Sequence, residues 1–375
     1  IQPSPLCSDS QFLRRVYLDV LGILPSRAEA EAFLADPTAD KRARLVDALL
    51  ERPEYAQFWA QRRADLLRVR AGKIGAQGVH KFHQWLVESV AENLPYDQFA
   101  TRLLTAQGST LDNPAANYYR AAGDVNDCAE TTSQLFLGIR IQCAKCHNHP
   151  FDRWSQDNYY GIGAFFSRVE RKSVEGKDEV TISLSGQGEV TQPRTGEQMK
   201  PWLPLTGEIV VPPDQDRRAV FAQWLTAPNN PFFAQVAVNR LWGYLFGRGI
   251  VEPIDDFSAS NPPSHPDVLH HLAEQFVAGG YDQKQLLRTI LNSRVYQLSS
   301  QANRFNEHDE KYFSHTRARM LSAEQLLDAI CHATGVPERF SGVPAPARAT
   351  SLPSPDFGND FLKTFGQPDR NTVCE

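Results

Sequence analysis

The stretch "CAETTSQLFLGIRIQCAKCH", residues 128–147, decides how this chain reads. Leu135, Ile139, Cys143 and the Cys146/His147 pair recur at steps of three and four, the spacing of one face of an α-helix. It predicts a single helix with both thiols and the imidazole on one side. Cys143, Cys146 and His147 also spell C-x-x-C-H, the attachment signature for c-type haem. Thiols at i and i+3 each add to one vinyl group of a porphyrin edge. The following imidazole then lies under the ring as an axial iron ligand, His147, with its other nitrogen held by an outer acceptor. Other readings compete. A zinc site asks for a second ligand pair, and His149 is the only nearby addition. A redox dithiol asks for a βαβ setting, whereas this setting is helical. A structural or chance cysteine pair is the remaining alternative.

Outward from this stretch, both flanks read as helices. Upstream, "SDSQFLRRVYLDVLGILP" sets Phe12, Leu13, Val16, Val20 and Leu21 on one side, with Ser8 or Ser10 as the cap. Ser26 and Glu29 form a capping box, Pro53 opens another helix, and Pro95 and Gly108 close two more. Residues 109–126 read as loop. Downstream, "SQDNYYGIGAFFSRV" predicts a short aromatic helix. From residue 170, Val180, Ile182 and Leu184 alternate with polar residues, which is strand-like. Helices resume near Asp214, with Pro266 at a first helical position, Gly279 at an end, and a Ser322/Gln325 capping box. Beyond residue 336, Pro, Gly and Ser dominate and no element is predicted. The expected fold is mainly α: a helical domain over 1–169 carrying CAKCH, a small β-rich connector over 170–212, and a second helical domain over 213–375.

Composition narrows the function. The chain has 375 residues, 41% hydrophobic and 22% charged, with a formal net charge of −5. Nucleic-acid binding usually asks for a basic balance, and none is seen. No apolar run reaches the length of a membrane span. Six cysteines do not make a disulfide scaffold. Cys7, Cys128, Cys331 and Cys374 pair in one of three ways or stay as free thiols. The first residue is Ile1, so a leader such as a signal peptide is expected to have been removed, and the C-terminal end reads as cut short.

If haem is bound, something faces the iron opposite His147. Two methionines, Met199 and Met320, are candidates, and a methionine there would raise the potential. His265, in the stiff "NPPSHP" loop, is another. His149 is too near His147 to reach the opposite face, and reads as an outer contact. Phe151 and Trp154 offer an apolar wall, the same use that any core makes of aromatic rings. Glu252, Asp255 and Asp256 in "EPIDDF" form a carboxylate cluster, but no nucleophile elbow or phosphate loop accompanies it.

At this point the chain resembles a known pair of families. "FLRRVYLDVLGILPSRAEAEAFLADP" (12–37), "KRARLVDALLERPEYAQFWAQRRADLLRV" (41–69) and "QLFLGIRIQCAKCHNHPFDRWSQDNYYGIGAFFSRV" (134–169) resemble the planctomycete cytochrome-type domain of unknown function. "NPFFAQVAVNRLWGYLFGRGIVEPIDDFSASNPPSHPDVLHHLAEQF" (230–276), "RMLSAEQLLDAI" (319–330) and the closing "CE" resemble its usual partner domain. The resemblance implies one covalently attached haem c at Cys143, Cys146 and His147, and a periplasmic or secreted location in bacteria of that type. It marks His149, Pro150, Phe151, Asp152, Trp154, His265 and Asp267 as family pattern. Relatives joined to sugar-binding modules imply a link to glycans and polysaccharide breakdown. The expected function is an extracytoplasmic c-type haem protein in electron transfer or haem-based redox chemistry, with a redox partner protein or a small oxidant or reductant. The alternative is a non-redox binding or scaffold module, its cysteine pair holding another metal or stapling the fold.

Overall fold

The structure, a computed structural model, describes residues 1–371. Helices α1 (Asp9–Leu21), α2 (Arg27–Ala35), α3 (Lys41–Leu50), α4 (Pro53–Leu66), α5 (Ala71–Ala91) and α6 (Tyr96–Leu104) follow one another through short turns. The cap signals act as read. Ser8 and Gln11, and Ser26 and Glu29, form reciprocal capping boxes, and Pro53 opens α4. Each such cap contributes about 1 kcal/mol. The apolar stripe of α1, from Phe12 to Leu21, is buried. Within α5, Gly75 at φ 72 breaks the helix, and a Cβ there would lie 1.9 Å from Oδ1 of Asp178.

Three expectations fail between residues 105 and 147. Gly108 does not cap α6, which ends at Leu104 with Thr105 as its cap. It begins β1 (Gly108–Ser109), paired with a strand some seventy residues later, a pairing no local signal announces. The loop expected over 109–126 contains a 3₁₀ turn at Pro114–Asn117, α7 (Tyr118–Ala121) and the start of α8 (Val125–Thr132). Tyr118 and Tyr119 bury these turns, so tertiary packing overrides weak local propensity. The single helix expected through His147 also stops early, as described below.

After α9 (Gln156–Gly163) come β2 (Val169–Ser173), β3 (Val180–Leu184), β4 (Val190–Thr191), β5 (Gln198–Met199), β6 (Trp202–Leu203) and β7 (Gly207–Glu208). They form small antiparallel sheets in the order β1-β3-β2, β4-β5 and β6-β7. Small strands therefore occupy residues 169–208, and the first sheet borrows a strand from the preceding helical segment. In register, Ile182 faces Gly108 and Leu184 faces Val169. Ile182 is buried, with Val180 and Leu184 packed against the core, which accounts for the period-two pattern. β5 and β6 rest on α9. At the β2–β3 and β4–β5 hairpin tips and in the β3–β4 link, Cβ atoms at Gly176, Gly196 and Gly186 would meet open space.

The chain then builds α10 (Arg217–Leu225), α11 (Phe233–Phe246), α12 (Pro266–Ala278), α13 (Gln283–Asn292), α14 (Ala323–Thr334) and α15 (Asp360–Thr364). The mainly α class holds. One buried core runs from Cys7 to Tyr296 and takes side chains from both helical halves. At the start of α10, Arg217 pairs with Glu189 through two 2.8 Å bonds, while buried Arg218 donates to the carbonyl of Ala106 at 2.9 Å. Between residues 337 and 371 the chain is folded: Phe340, Ala349, Leu352 and Leu362 pack on Ala323 and Leu327 of α14. Arg370 anchors this region, donating to Asp65 and to the carbonyls of Val69 and Pro353, each at 2.8 Å. Scattered apolar residues in a proline-rich stretch carry no period, so this small core leaves no sequence signal. Cys7, Cys128 and Cys331 are free thiols; Cys374 lies outside the described residues.

Candidate functional site

The polypeptide reaches the C-x-x-C-H segment through a helix that is stopped on purpose. α8 continues as a wider π turn over Ser133–Leu137, and Gly138 ends it at φ 64. A Cβ at Gly138 would lie 2.5 Å from the Phe257 ring and 2.9 Å from Val236, so no larger residue fits. The Phe257 N–H donates to the Gly138 carbonyl at 2.9 Å, fixing the exit. Ile139 and Ile141 then bury. Between them, Arg140 reaches Asp255 at 2.5 Å, and Gln134 bonds the same carboxylate. This ion pair absorbs one member of the "EPIDDF" cluster. Glu252 accepts from the Gly249 N–H at 2.7 Å and Asp256 from the Ser258 N–H at 3.3 Å, so these two carboxylates are tied into the loop's own bonding.

The motif itself is a 3₁₀ turn, Gln142–Lys145, followed by a bend. This corrects the single-helix expectation. Helical periodicity in Leu135, Ile139 and Cys143 is real, but it is interrupted where a left-handed glycine meets a ring from another segment. A 3₁₀ turn has three residues per turn and eclipses positions i and i+3, the separation between Cys143 in the turn and Cys146 at its cap. Ala144 is buried and pins the turn, leaving both cysteines and His147 exposed, with both thiols free.

α9 clamps this turn from below. The Lys145 carbonyl accepts bonds from Gln156 Nε2 at 3.0 Å and from the Tyr160 hydroxyl at 3.1 Å. The Asn148 side chain accepts from the Gln156 N–H at 3.1 Å. Buried Gln192, from the β4–β5 hairpin, holds Gln156 at 3.3 Å and Asp157 at 3.2 Å. The helix start is set by a capping box between Ser155 and Asn158. Burial, then the neighbouring Cys146 thiol, raises the Tyr160 hydroxyl above its ordinary pKa, so it stays a donor.

The two histidines are held in opposite tautomers. His147 Nδ1 lies 2.8 Å from the Asn148 carbonyl oxygen, which only accepts. In the neutral ring Nδ1 therefore carries the proton and Nε2 keeps its lone pair. His149 Nδ1 accepts the Phe151 N–H at 3.3 Å, so in the neutral ring Nε2 carries the proton. In the neutral rings the first imidazole leaves Nε2 as an acceptor and the second leaves Nε2 as a donor. The His149 N–H also bonds the Trp154 carbonyl at 2.8 Å, closing the loop. Phe151 stands 81% exposed, while Trp154 is 4% exposed and packs edge-on against Trp202 with ring centroids 6.1 Å apart. The Trp154 Nε1–H is buried without a partner.

The sixth-ligand candidates are dispersed. His265 precedes α12, lies 3.2 Å from the Ser264 hydroxyl, and sits against Tyr312 and Phe313. It lines a cavity with Ile1 and Pro3. Met320 is 90% exposed and lines a different cavity. Neither cavity is lined by Cys143, Cys146 or His147. Met199 lies on β5, the strand resting on α9. Among the described residues, no three His, Cys, Asp or Glu side chains are grouped as a metal ion alone would need. Sequence reasoning passes over Asn148, Gln156, Tyr160 and Gln192. The Ser155/Asn158 cap pattern marks where α9 begins, but nothing in the sequence marks Gln192.

The donor set fits a covalently held haem: two accessible thiols three apart, one imidazole with a free Nε2 and a fixed Nδ1–H, and an exposed ring beside them. Among curated proteins and among solved structures, nothing matches the chain. Residues 1–171 match the family model PSCyt2, described as a protein of unknown function (DUF1549), and residues 217–375 match PSD1, a protein of unknown function (DUF1553), so the chain carries these two domains of unknown function in tandem.

Proposed function

We propose that the chain is an extracytoplasmic c-type haem protein, with Cys143 and Cys146 forming the two thioether bonds and His147 ligating iron through Nε2. The observation that carries this reading is the His147–Asn148 bond. It leaves the ligating nitrogen unprotonated and aims the imidazole by an outer acceptor, the arrangement that metal-bound histidines use. The exposed thiols on a 3₁₀ turn support it. A porphyrin brings four nitrogen ligands of its own, so one imidazole suffices, whereas a bare zinc ion would need more side chains than the turn supplies.

When bound, haem supplies an iron centre for one-electron exchange or for binding a small ligand. The chain's residues do the positioning. Gln156 and Tyr160 hold the Lys145 carbonyl, which keeps the turn from swinging on its anchor. In the neutral ring the Nε2–H of His149 suits a propionate contact, and exposed Phe151 offers apolar surface in the same loop. Of the three sixth-ligand candidates, Met199 is carried by the strand packed on the helix that holds the turn.

The test is expression with a cytochrome c maturation system, followed by the intact mass of the denatured protein and a pyridine haemochrome spectrum. One haem per chain, retained after denaturation, is the expected result. Bound zinc, or a chain mass with no addition, defeats the proposal.

A further inference from the structure

A second cleft, of about 530 Å³, shares no lining residue with the C-x-x-C-H turn. That volume falls within the range of small-molecule sites, roughly 300–1,000 Å³. Its wall is built from both matched segments. Arg14, Arg15 and Asp19 come from α1 and Arg62 from α4; Arg317 and Arg319 come from the segment before α14.

The charges lining it do not balance. Five arginines, Arg14, Arg15, Arg62, Arg317 and Arg319, face three carboxylates, Asp19, Asp309 and Glu310, in a chain whose net charge is −5. Arg319 is paired with Asp19, whose other oxygen accepts from the Tyr296 hydroxyl at 2.7 Å. Asp309 is occupied by its own loop, accepting N–H bonds from Lys311, Tyr312 and Ser314 at 3.0, 2.7 and 3.0 Å. Arg15 spends its terminal nitrogens on neutral acceptors, including the Leu298 carbonyl and the Thr316 hydroxyl. Among the described residues, Arg14, Arg62 and Arg317 form no ion pair, although Arg62, like Arg15 and Arg319, lies close enough to Asp19 to favour its charged form. Arg62 instead lies over the rings of Phe58 and Tyr244, at 5.1 and 5.4 Å.

The rings of Tyr244, Phe246 and Phe313 add flat apolar surface beside the guanidinium groups. Guanidinium forks match the geometry of carboxylate, sulfate and phosphate oxygens.

We propose that this cleft binds a small organic oxyanion carried on a ring. The anion is held by Arg14, Arg62 and Arg317, and the ring lies against the aromatic wall. Both matched segments contribute arginines, so the site exists only when the two occur together. The proposal is independent of what Cys143 and Cys146 carry.

Titration calorimetry on the full chain tests it, with 4-nitrophenyl sulfate, 4-nitrophenyl phosphate and 4-nitrobenzoate as ring-bearing anions and 4-nitrobenzamide as the neutral control. Inorganic sulfate and phosphate test whether the ring matters. The expected result is one saturable site for at least one ring-bearing anion, with the amide and the inorganic ions each at least tenfold weaker. The R62Q/R317Q variant should lose at least tenfold. The R14Q/R317Q variant changes only exposed side chains, and decides the matter if loss of the Arg62 ring contacts unsettles folding. The proposal is overturned if no anion binds, if the amide or the inorganic ions bind as well, or if an R14Q/R317Q protein with native circular dichroism binds like the parent.

Discussion

Replacing Gly138 by alanine separates two accounts of the segment before the C-x-x-C-H turn. If one helix ran from residue 128 to 147, alanine would favour it by about 1 kcal/mol over glycine. The structure demands the opposite sign. Gly138 sits at φ 64, where a Cβ costs about 1–2 kcal/mol. The methyl would also lie 2.5 Å from the Phe257 ring, and overpacking of that kind costs about 1–3 kcal/mol. Together the loss is about 2–5 kcal/mol. With an unfolding entropy of about 2.1 cal/mol/K per residue, a chain of 375 residues would show a fall in Tm of about 3–6 °C. Gly335 provides the control. It has φ 70 at the end of α14, and a Cβ there meets nothing within 4 Å. Gly335→Ala should cost only the backbone part, about 1–2 kcal/mol. The assay is urea unfolding of both variants, followed by far-ultraviolet circular dichroism and tryptophan fluorescence. A Gly138→Ala protein as stable as the parent, or no worse than Gly335→Ala, would refute the claim that Phe257 and a left-handed glycine end this helix.

Three further outcomes are expected. Single Cys143→Ala and Cys146→Ala variants should each keep haem through the remaining thioether, while the double variant loses the added mass on denaturation; a double variant that keeps it contradicts the assignment. The hydrogen bond from Arg52 holds the Glu54 carboxyl down at about 2, so its stabilisation is full above pH 4.5 and fades as pH falls toward 2. Glu54→Gln should therefore cost about 1–3 kcal/mol at pH 7 and nothing near pH 2, read from urea midpoints. Burial holds the His83 imidazole down at about 3, with Arg370 and His80 adding to it. The unfolded chain takes up a proton below pH 6.5 while the folded chain does not, so stability falls as pH drops from 6.5 toward 3. His83→Leu should remove about 1–3 kcal/mol of the loss between pH 7 and 4.5, and an unchanged pH dependence would count against burial as the cause.

How much of this is legible in the sequence follows from how local each cause is. Ser26 with Glu29, Ser322 with Gln325, and Pro53 and Pro266 report helix starts, because a cap joins residues three apart. The strand pattern of Val180, Ile182 and Leu184 is legible because one face of β3 meets the core. The end of the helix before the motif is not. Its cause is Phe257, which becomes a neighbour of Gly138 only after folding. The pairing of Gly108 with Ile182 is equally remote. At the site, the cysteines and His147 announce themselves by spacing, whereas Gln156, Tyr160 and Gln192 act through contacts that no spacing encodes. The arginines of the second cleft come from separate segments, and on α1 they look like an ordinary solvated face.

The connector between the helical halves has a further consequence for chain length. Its strands are stitched down at three places: β3 to β1, β5 and β6 to α9, and Asp178 into the space beside Gly75. Between those stitches its length is fixed, since one added residue in β3 would turn Ile182 outward. The β2–β3 tip at Gly176, the β3–β4 link at Gly186 and the β4–β5 tip at Gly196 are open, with nothing within 4 Å of an added Cβ. Those tips are where this molecule can accept an inserted label, a tether or a whole extra module without disturbing either the thiol-bearing turn or the arginine-lined cleft.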